Sequence, residues 1–184
     1  GYETYGKTVG IIGAFGRVGQ HLAQMYQGAF HCRVLGFDPF ATPQQLNNLG
    51  IEPAETLEEL VSYSDIIHLT CPLTAETRGM FQHQLFGSVK KGAVLINTAR
   101  GELVDESALY TALTDGTLRA CGSDVFCDEL HSFQSPLNQL DNFIGFPHMA
   151  ANTYESMERM AMWAVDDLIA VLEGQPPKYL YTGN

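Results

Sequence analysis

The sequence predicts an α/β fold, a doubly wound parallel sheet. Three observations lead there. Short apolar runs alternate with helical patterns along the 184 residues. The runs are continuously apolar, the pattern of parallel strands covered on both faces. The first of them, Val9–Ile12, stops at a glycine-rich turn that leads straight into a helical pattern. Strand–helix alternation builds a doubly wound sheet, with ligands at the carboxyl ends of the strands near the switch point.

Taken in order, strands are predicted at Val9–Ile12, Arg33–Phe37, Ile66–Leu69, Ala93–Asn97, Ala120–Ser123 and Phe143–Gly145. Helices fill the gaps. One runs from about Arg17 to Gln27, with Val18, Leu22, Met25 and Tyr26 at helical spacing. Thr56-Leu57-Glu58-Glu59 reads as a capping box that opens a short helix. Another helix starts at Asp105 and ends near Gly116, with Leu109, Ala112 and Leu113 on one face. The last runs from Asn152 to Glu173, where Asn152 and Glu155 read as a second capping box. Met157, Met160, Trp163, Leu168 and Leu172 make it apolar on more than one face, so protein should cover it, from a further domain or another subunit. Gly174-Gln175-Pro176-Pro177 ends it. Residues 1–174 therefore read as one domain.

Composition narrows the function. Hydrophobic residues are 45% and charged residues 17%, ordinary for a globular protein with a real core. The formal net charge of -11 argues against a nucleic-acid backbone as partner. No apolar run approaches the roughly 20 residues of a membrane span, and no N-terminal signal pattern is visible. A start at Gly1, almost directly before the first strand, suggests a fragment. Cys32, Cys71, Cys121 and Cys127 include no C-x-x-C pair, so neither a zinc site nor a redox motif is expected. Reduced thiols in the cytoplasm are the simplest reading.

The turn reads Gly13-Ala14-Phe15-Gly16-Arg17-Val18-Gly19. Free N–H groups at a helix start, with the macrodipole, suit a pyrophosphate, and glycines let it come close. The fingerprint for this job is G-x-G-x-x-G, and here one residue too many lies between the first two glycines. The second strand ends in Asp38, where such a unit places the acid that holds the adenosine ribose diol. A carboxylate there repels a 2′-phosphate, which favours NAD over NADP. The plainer reading of Asp38 is an Asp-Pro turn, and one residue can serve both roles. Arg17 either adds charge to the phosphate site or is a solvated first-turn residue.

Three later strands end in polar loops: Asn97 to Gly101, Asp124 to Glu129, and Phe146 to Ala151. All should project at the ligand-binding edge. Hydride transfer between an alcohol and a ketone needs a cation for the substrate's acid group, an acid/base for the hydroxyl proton, and a partner for that base. Arg100 can bind a carboxylate through two parallel hydrogen bonds. His148 suits proton exchange, and a carboxylate beside it, such as Glu129, would favour the protonated ring. Singly, each is more simply a surface or structural residue. Their joint placement at successive strand ends lifts the case.

These segments, with His68-Leu69-Thr70-Cys71-Pro72-Leu73-Thr74 and Lys91 to Gly101, resemble the NAD-binding domain of the D-isomer-specific 2-hydroxyacid dehydrogenases over nearly the whole chain. The resemblance implies a Rossmann-type domain and NAD as cofactor. It implies Arg100 at the substrate carboxylate, His148 as acid/base and Glu129 paired with it. It implies cofactor contacts from Gly13, Gly16, Arg17, Val18, Gly19, Asp38, Cys71, Pro72, Thr98, Ala99 and Asp124. Family members carry a substrate domain, of which residues 175–184 would be the start of the return segment, and associate as homodimers. The chain departs from the family in the enlarged glycine turn and in Leu130, where proline often follows the glutamate. Two other readings stand beside the enzyme: a corepressor-like module that senses NAD without catalysis, and a methyltransferase. Neither needs the Arg100, Glu129 and His148 set.

Overall fold

The computed structural model describes residues 1–180. The chain divides into two compact units, Gly1–His148 and Met149–Asn184.

The first unit is built on a seven-stranded sheet in the order β3-β2-β1-β4-β5-β6-β7, with every pair parallel. The strands are β1 (Thr8–Ile12), β2 (Arg33–Phe37), β3 (Glu52–Pro53), β4 (Ile66–Leu69), β5 (Ala93–Asn97), β6 (Leu118–Ser123) and β7 (Phe143–Gly145). Helices α1 (Arg17–Phe30), α2 (Pro43–Asn48), α3 (Leu57–Tyr63), α4 (His83–Phe86) and α5 (Glu106–Thr114) connect them. The chain leaves β1 toward β2 and β3, then returns to place β4 on the other side of β1. That reversal opens a crevice at the carboxyl ends of β1 and β4.

Both faces of the sheet are covered, which explains the unbroken apolar runs. Val9, Ile11 and Val34 pack with Ala23 of α1, Leu46 of α2 and Ile51. Ile12, Leu35, Ile67, Leu69 and Leu95 pack with Leu60 and Val61 of α3, Leu85 and Phe86 of α4, and Leu109 and Leu113 of α5. Successive residues of one strand feed opposite cores, as the two-residue period requires.

Sequence and structure differ at several ends. α1 continues to Phe30, where His31 takes a left-handed C-cap (φ 51°) and donates its N–H to the Tyr26 carbonyl. β6 begins two residues earlier than expected, at Leu118. The Thr56 hydroxyl accepts from Glu59 N at 3.1 Å as expected, but the Glu59 carboxylate accepts from Glu55 N instead of closing the box on Thr56.

The second unit carries α6 (Tyr154–Leu172). The expected cap at Asn152 is corrected to Thr153, whose hydroxyl accepts from Ser156 N while Ser156 Oγ accepts from Thr153 N, both at 3.1 Å. After α6 the chain folds back. Asp167 accepts the N–H groups of Lys178 and Tyr179, and Tyr179 stacks on Trp163 with ring centroids 5.0 Å apart. None of the residues of α6 is buried.

Candidate functional site

Because all seven strands run parallel, every loop that follows a strand emerges at one edge of the sheet. Gly13 to Gly19 follow β1, Asp38 follows β2, and Cys71 and Pro72 lie just after β4. Thr98 to Arg100 follow β5, Asp124 to Glu129 follow β6, and His148 follows β7. The fold therefore gathers all the sequence-predicted site residues at a single edge.

The enlarged glycine turn is built tightly. Gly13 sits at φ 85°, in the left-handed region that glycine enters without penalty. A Cβ on Gly13 would lie 2.7 Å from the Cys71 amide nitrogen, so the turn and the loop after β4 touch backbone to backbone. Thr70 fastens that contact, its hydroxyl donating to the carbonyl of Ile12 at 2.9 Å or of Gly13 at 3.1 Å. A Cβ on Gly19 would collide with the Gly13 carbonyl, so α1 approaches the strand end as closely as a fingerprint helix must.

The additional residue is absorbed through its own backbone. Phe15 N donates to Asp38 Oδ2 at 3.0 Å, and the Phe15 carbonyl accepts from Gln20 Nε2 at 2.6 Å. Ala14 is fully buried. Gly16 then serves as N-cap of α1 in an extended conformation and offers no side chain to the first turn. That turn holds no acid, and it carries Arg17 and Val18 exposed. The leading N–H groups of a helix lack intrahelical acceptors, so this end is left for an anion. The residues present fit a dinucleotide: open amides, a close backbone approach, and Asp38 at the end of β2.

The catalytic candidates are placed by three neighbouring strands. Asn97, buried at the end of β5, brackets the next loop: its Oδ1 accepts from Ala99 N at 3.0 Å, and its Nδ2 donates to the Arg100 carbonyl at 2.9 Å. Thr98 and Arg100 are exposed, and Arg100 Nη1 donates to the Ala99 carbonyl at 2.6 Å. The guanidinium thus turns to its own loop. Asp124, buried after β6, donates its N–H to the Asn97 carbonyl at 2.9 Å and accepts His148 N at 2.8 Å through its carbonyl.

His148 follows a proline and sits at φ 51°, which is uncommon for a residue with a side chain. Its Nδ1 lies 2.9 Å from Glu129 Oε1 and 3.0 Å from Oε2. The ring is therefore oriented by a carboxylate, and its other nitrogen is turned away from that contact. The loop carrying Glu129 is tied at both ends to α5. Glu106 accepts from Cys127 N at 2.9 Å and from Ser135 Oγ at 3.3 Å. Cys127 is the exposed one of the four cysteines, and Cys32, Cys71 and Cys121 are buried; all four are free thiols.

Sequence reading missed Thr70, Asn97 and Glu106 as supports. Thr70 and Asn97 stand next to the motif residues, where a polar side chain ending an apolar run was the available signal. Glu106 gives none, because its role is set by the path of a loop far along the chain. Among the described residues no group of three or more His, Cys, Asp or Glu is placed to hold a metal ion, and no helix is long and apolar enough to cross a membrane.

Comparison with known proteins agrees with this geometry. Residues 1–150 match the family model described as D-isomer specific 2-hydroxyacid dehydrogenase, NAD binding domain. The chain is 38% identical over 175 residues to a D-3-phosphoglycerate dehydrogenase of Methanocaldococcus jannaschii, covering 95% of the chain and 33% of the relative. It is 40% identical over 180 residues to a glyoxylate reductase of Pyrococcus furiosus, covering 98% and 52%. A crystal structure of D-lactate dehydrogenase with NAD+ from Lactobacillus jensenii superposes with a TM-score of 0.88 at 31% identity, over 99% of this chain and 57% of that one. The chain thus spans between a third and about half of the curated relatives named here. None of these names supports a non-catalytic module or a methyltransferase. With the glycine turn, the strand-end acid and the His148–Glu129 pair all on one edge of a parallel sheet, the chain belongs to the NAD-binding domains of the D-isomer-specific 2-hydroxyacid dehydrogenases.

Proposed function

We propose that this chain is the coenzyme domain of an NAD-dependent dehydrogenase that interconverts a 2-hydroxy acid and a 2-keto acid. The observation that carries the reading is the 2.9 Å contact between His148 Nδ1 and Glu129, on the same edge as the glycine turn. With Nδ1 held by the carboxylate, Nε2 is left to exchange the proton of the substrate hydroxyl. Arg100, released from the Ala99 carbonyl, holds the substrate carboxylate through two parallel hydrogen bonds. The first-turn amides of α1 and Arg17 take the pyrophosphate, and Asp38 takes the ribose diol and selects NAD. Gly13, Gly16, Val18 and Gly19 shape the turn, Cys71 and Pro72 border the adenosine, and Thr98, Ala99 and Asp124 border the nicotinamide. The bound nicotinamide would supply or accept the hydride.

The assignment is tested in the full-length protein with NADH and a panel of 2-keto acids, including glyoxylate, pyruvate and hydroxypyruvate. His148→Ala should lower kcat by about 10²–10⁴-fold, the usual weight of a general acid/base. Near-normal turnover by that variant would remove the assignment.

The domain is proposed to extend through α6 to residue 174, with 175–184 beginning the return to a substrate domain. The four free thiols fit a cytoplasmic enzyme. A homodimer is proposed because Met157, Trp163, Val165, Leu168, Ile169 and Leu172 leave α6 apolar and exposed. Sedimentation of the full-length protein should give twice the chain mass at micromolar concentration; a monomer there would refute the dimer.

A further inference from the structure

We propose that Asp128 and His131 form a positioning pair that holds the Glu129 carboxylate against His148. The inference rests on the reading of Glu129 and His148 as the acid/base pair. Glu129 opens a 3-10 stretch, Glu129–Gln134, in which the helical conformation is broken at His131 (φ −117°, ψ 22°). The start of this stretch is open to solvent: Leu130 is 84% exposed, and Asp128, Glu129 and His131 are all at the surface. Glu106 fixes the loop only at Cys127 and Ser135, on either side of the break.

What closes the gap is the Asp128 carboxylate. One oxygen accepts the His131 backbone N–H at 3.3 Å, and the other lies 2.8 Å from His131 Nδ1. Main chain and ring of His131 are thereby tied to the residue before Glu129, and Glu129 sits inside the closed turn. The His131 ring holds the Asp128 carboxyl below the usual carboxylate range, consistent with a formed contact. An exposed ion pair contributes little to global stability. Its effect here is local, because the enclosed residue must point at a ring fixed by a different strand.

The test uses the full-length protein and compares Asp128→Ala, Asp128→Asn and His131→Ala with His148→Ala. Asparagine caps a helical turn as well as aspartate does, so Asp128→Asn separates the cap from the charge. Asp128→Ala, which loses both contacts, should lower kcat by roughly tenfold, the weight of losing one cap, and His131→Ala, which keeps the backbone N–H and loses only the ring contact, by about threefold, with KM for NADH unchanged within about twofold. Asp128→Asn should recover most of that loss. In a Glu129→Gln background Asp128→Ala should cost nothing more, because a pair acting through Glu129 is not additive with its removal. A readout free of turnover is the ring N–H resonance of His148. It should lose its low-field position in both alanine variants and keep it in Asp128→Asn. Wild-type kcat and an unmoved resonance in both alanine variants would overturn the pair, as would an equal loss in the Glu129→Gln background. Full turnover by His148→Ala would instead remove the underlying reading, leaving the resonance to decide the pair.

Discussion

Asp38 holds two backbone N–H groups, Phe15 N on Oδ2 and Phe40 N on Oδ1, each at 3.0 Å. Carboxylate oxygens keep further lone pairs, so the ribose diol can still be accepted. The residue proposed to select the cofactor is therefore also the anchor of the enlarged turn. Asp38→Ala should weaken NAD binding and lower unfolding stability by about 1–3 kcal/mol, the weight of hydrogen bonds to a charged group. Calorimetry and urea unfolding of the same preparation check this; loss of affinity with unchanged stability would show that the turn stands without Asp38. The placement of Asp38, Arg100, Glu129 and His148 after strands was legible in the sequence because each is a polar residue at or soon after the end of an apolar run. The Phe15–Asp38 and Asp128–His131 contacts were not, since each depends on a rotamer and a loop path that no periodicity encodes.

Among the elements, the long strands and helices follow from apolar patterning, while the short ones do not. β3 has two residues, one of them Pro53, and pairs only with β2 through Leu35 and Gly36, so no alternation exists to be read. α2 was readable in principle: Thr42, Pro43 and Gln45 form a capping box with proline at the first helical position. At α6 two adjacent residues, Asn152 and Thr153, both suit an N-cap, and only the backbone decides between them. Thr153→Ala should destabilise the helix by about 1 kcal/mol and Asn152→Ala by much less. Thermal unfolding followed by circular dichroism separates the two, and the reverse order would restore Asn152 as the cap.

At the scale of the whole molecule, the parallel order of the sheet gathers the candidate site: in the first unit, helices α1–α5 and strands β1–β7 bring six loops to one edge. The sheet also carries a buried histidine, paired with a half-buried tyrosine, away from those loops. His68, on β4 between Ile11 and Ile96, lies 2.8 Å from the Tyr26 hydroxyl of α1 through Nε2. Burial lowers the His68 pKa to about 4. Between that value and the ordinary one near 6.5 the unfolded chain binds more protons than the folded one, so stability falls as pH drops through this window. The loss from this group between pH 7 and pH 5 should be about 2 kcal/mol. Replacing the pair by Tyr26→Phe and His68→Leu should remove that part of the pH dependence in urea unfolding; an unchanged dependence would place its origin elsewhere.

Cys127 has a practical consequence for following the loop that carries Glu129. It lies two residues before Glu129 and is the exposed thiol among four. A maleimide fluorophore should therefore mark this loop selectively in the native fold without any engineered cysteine. Although the residue is exposed, partial burial of its sulfur, followed by the nearby Glu106 and Glu102 carboxylates, raises the thiol pKa to about 11. The thiolate is the reactive form, so labelling should be slow at neutral pH and quicken about tenfold per pH unit below that value. Any ligand that drew Glu106 or the loop into a new arrangement would change that rate, giving a native optical reporter beside the His148–Glu129 contact.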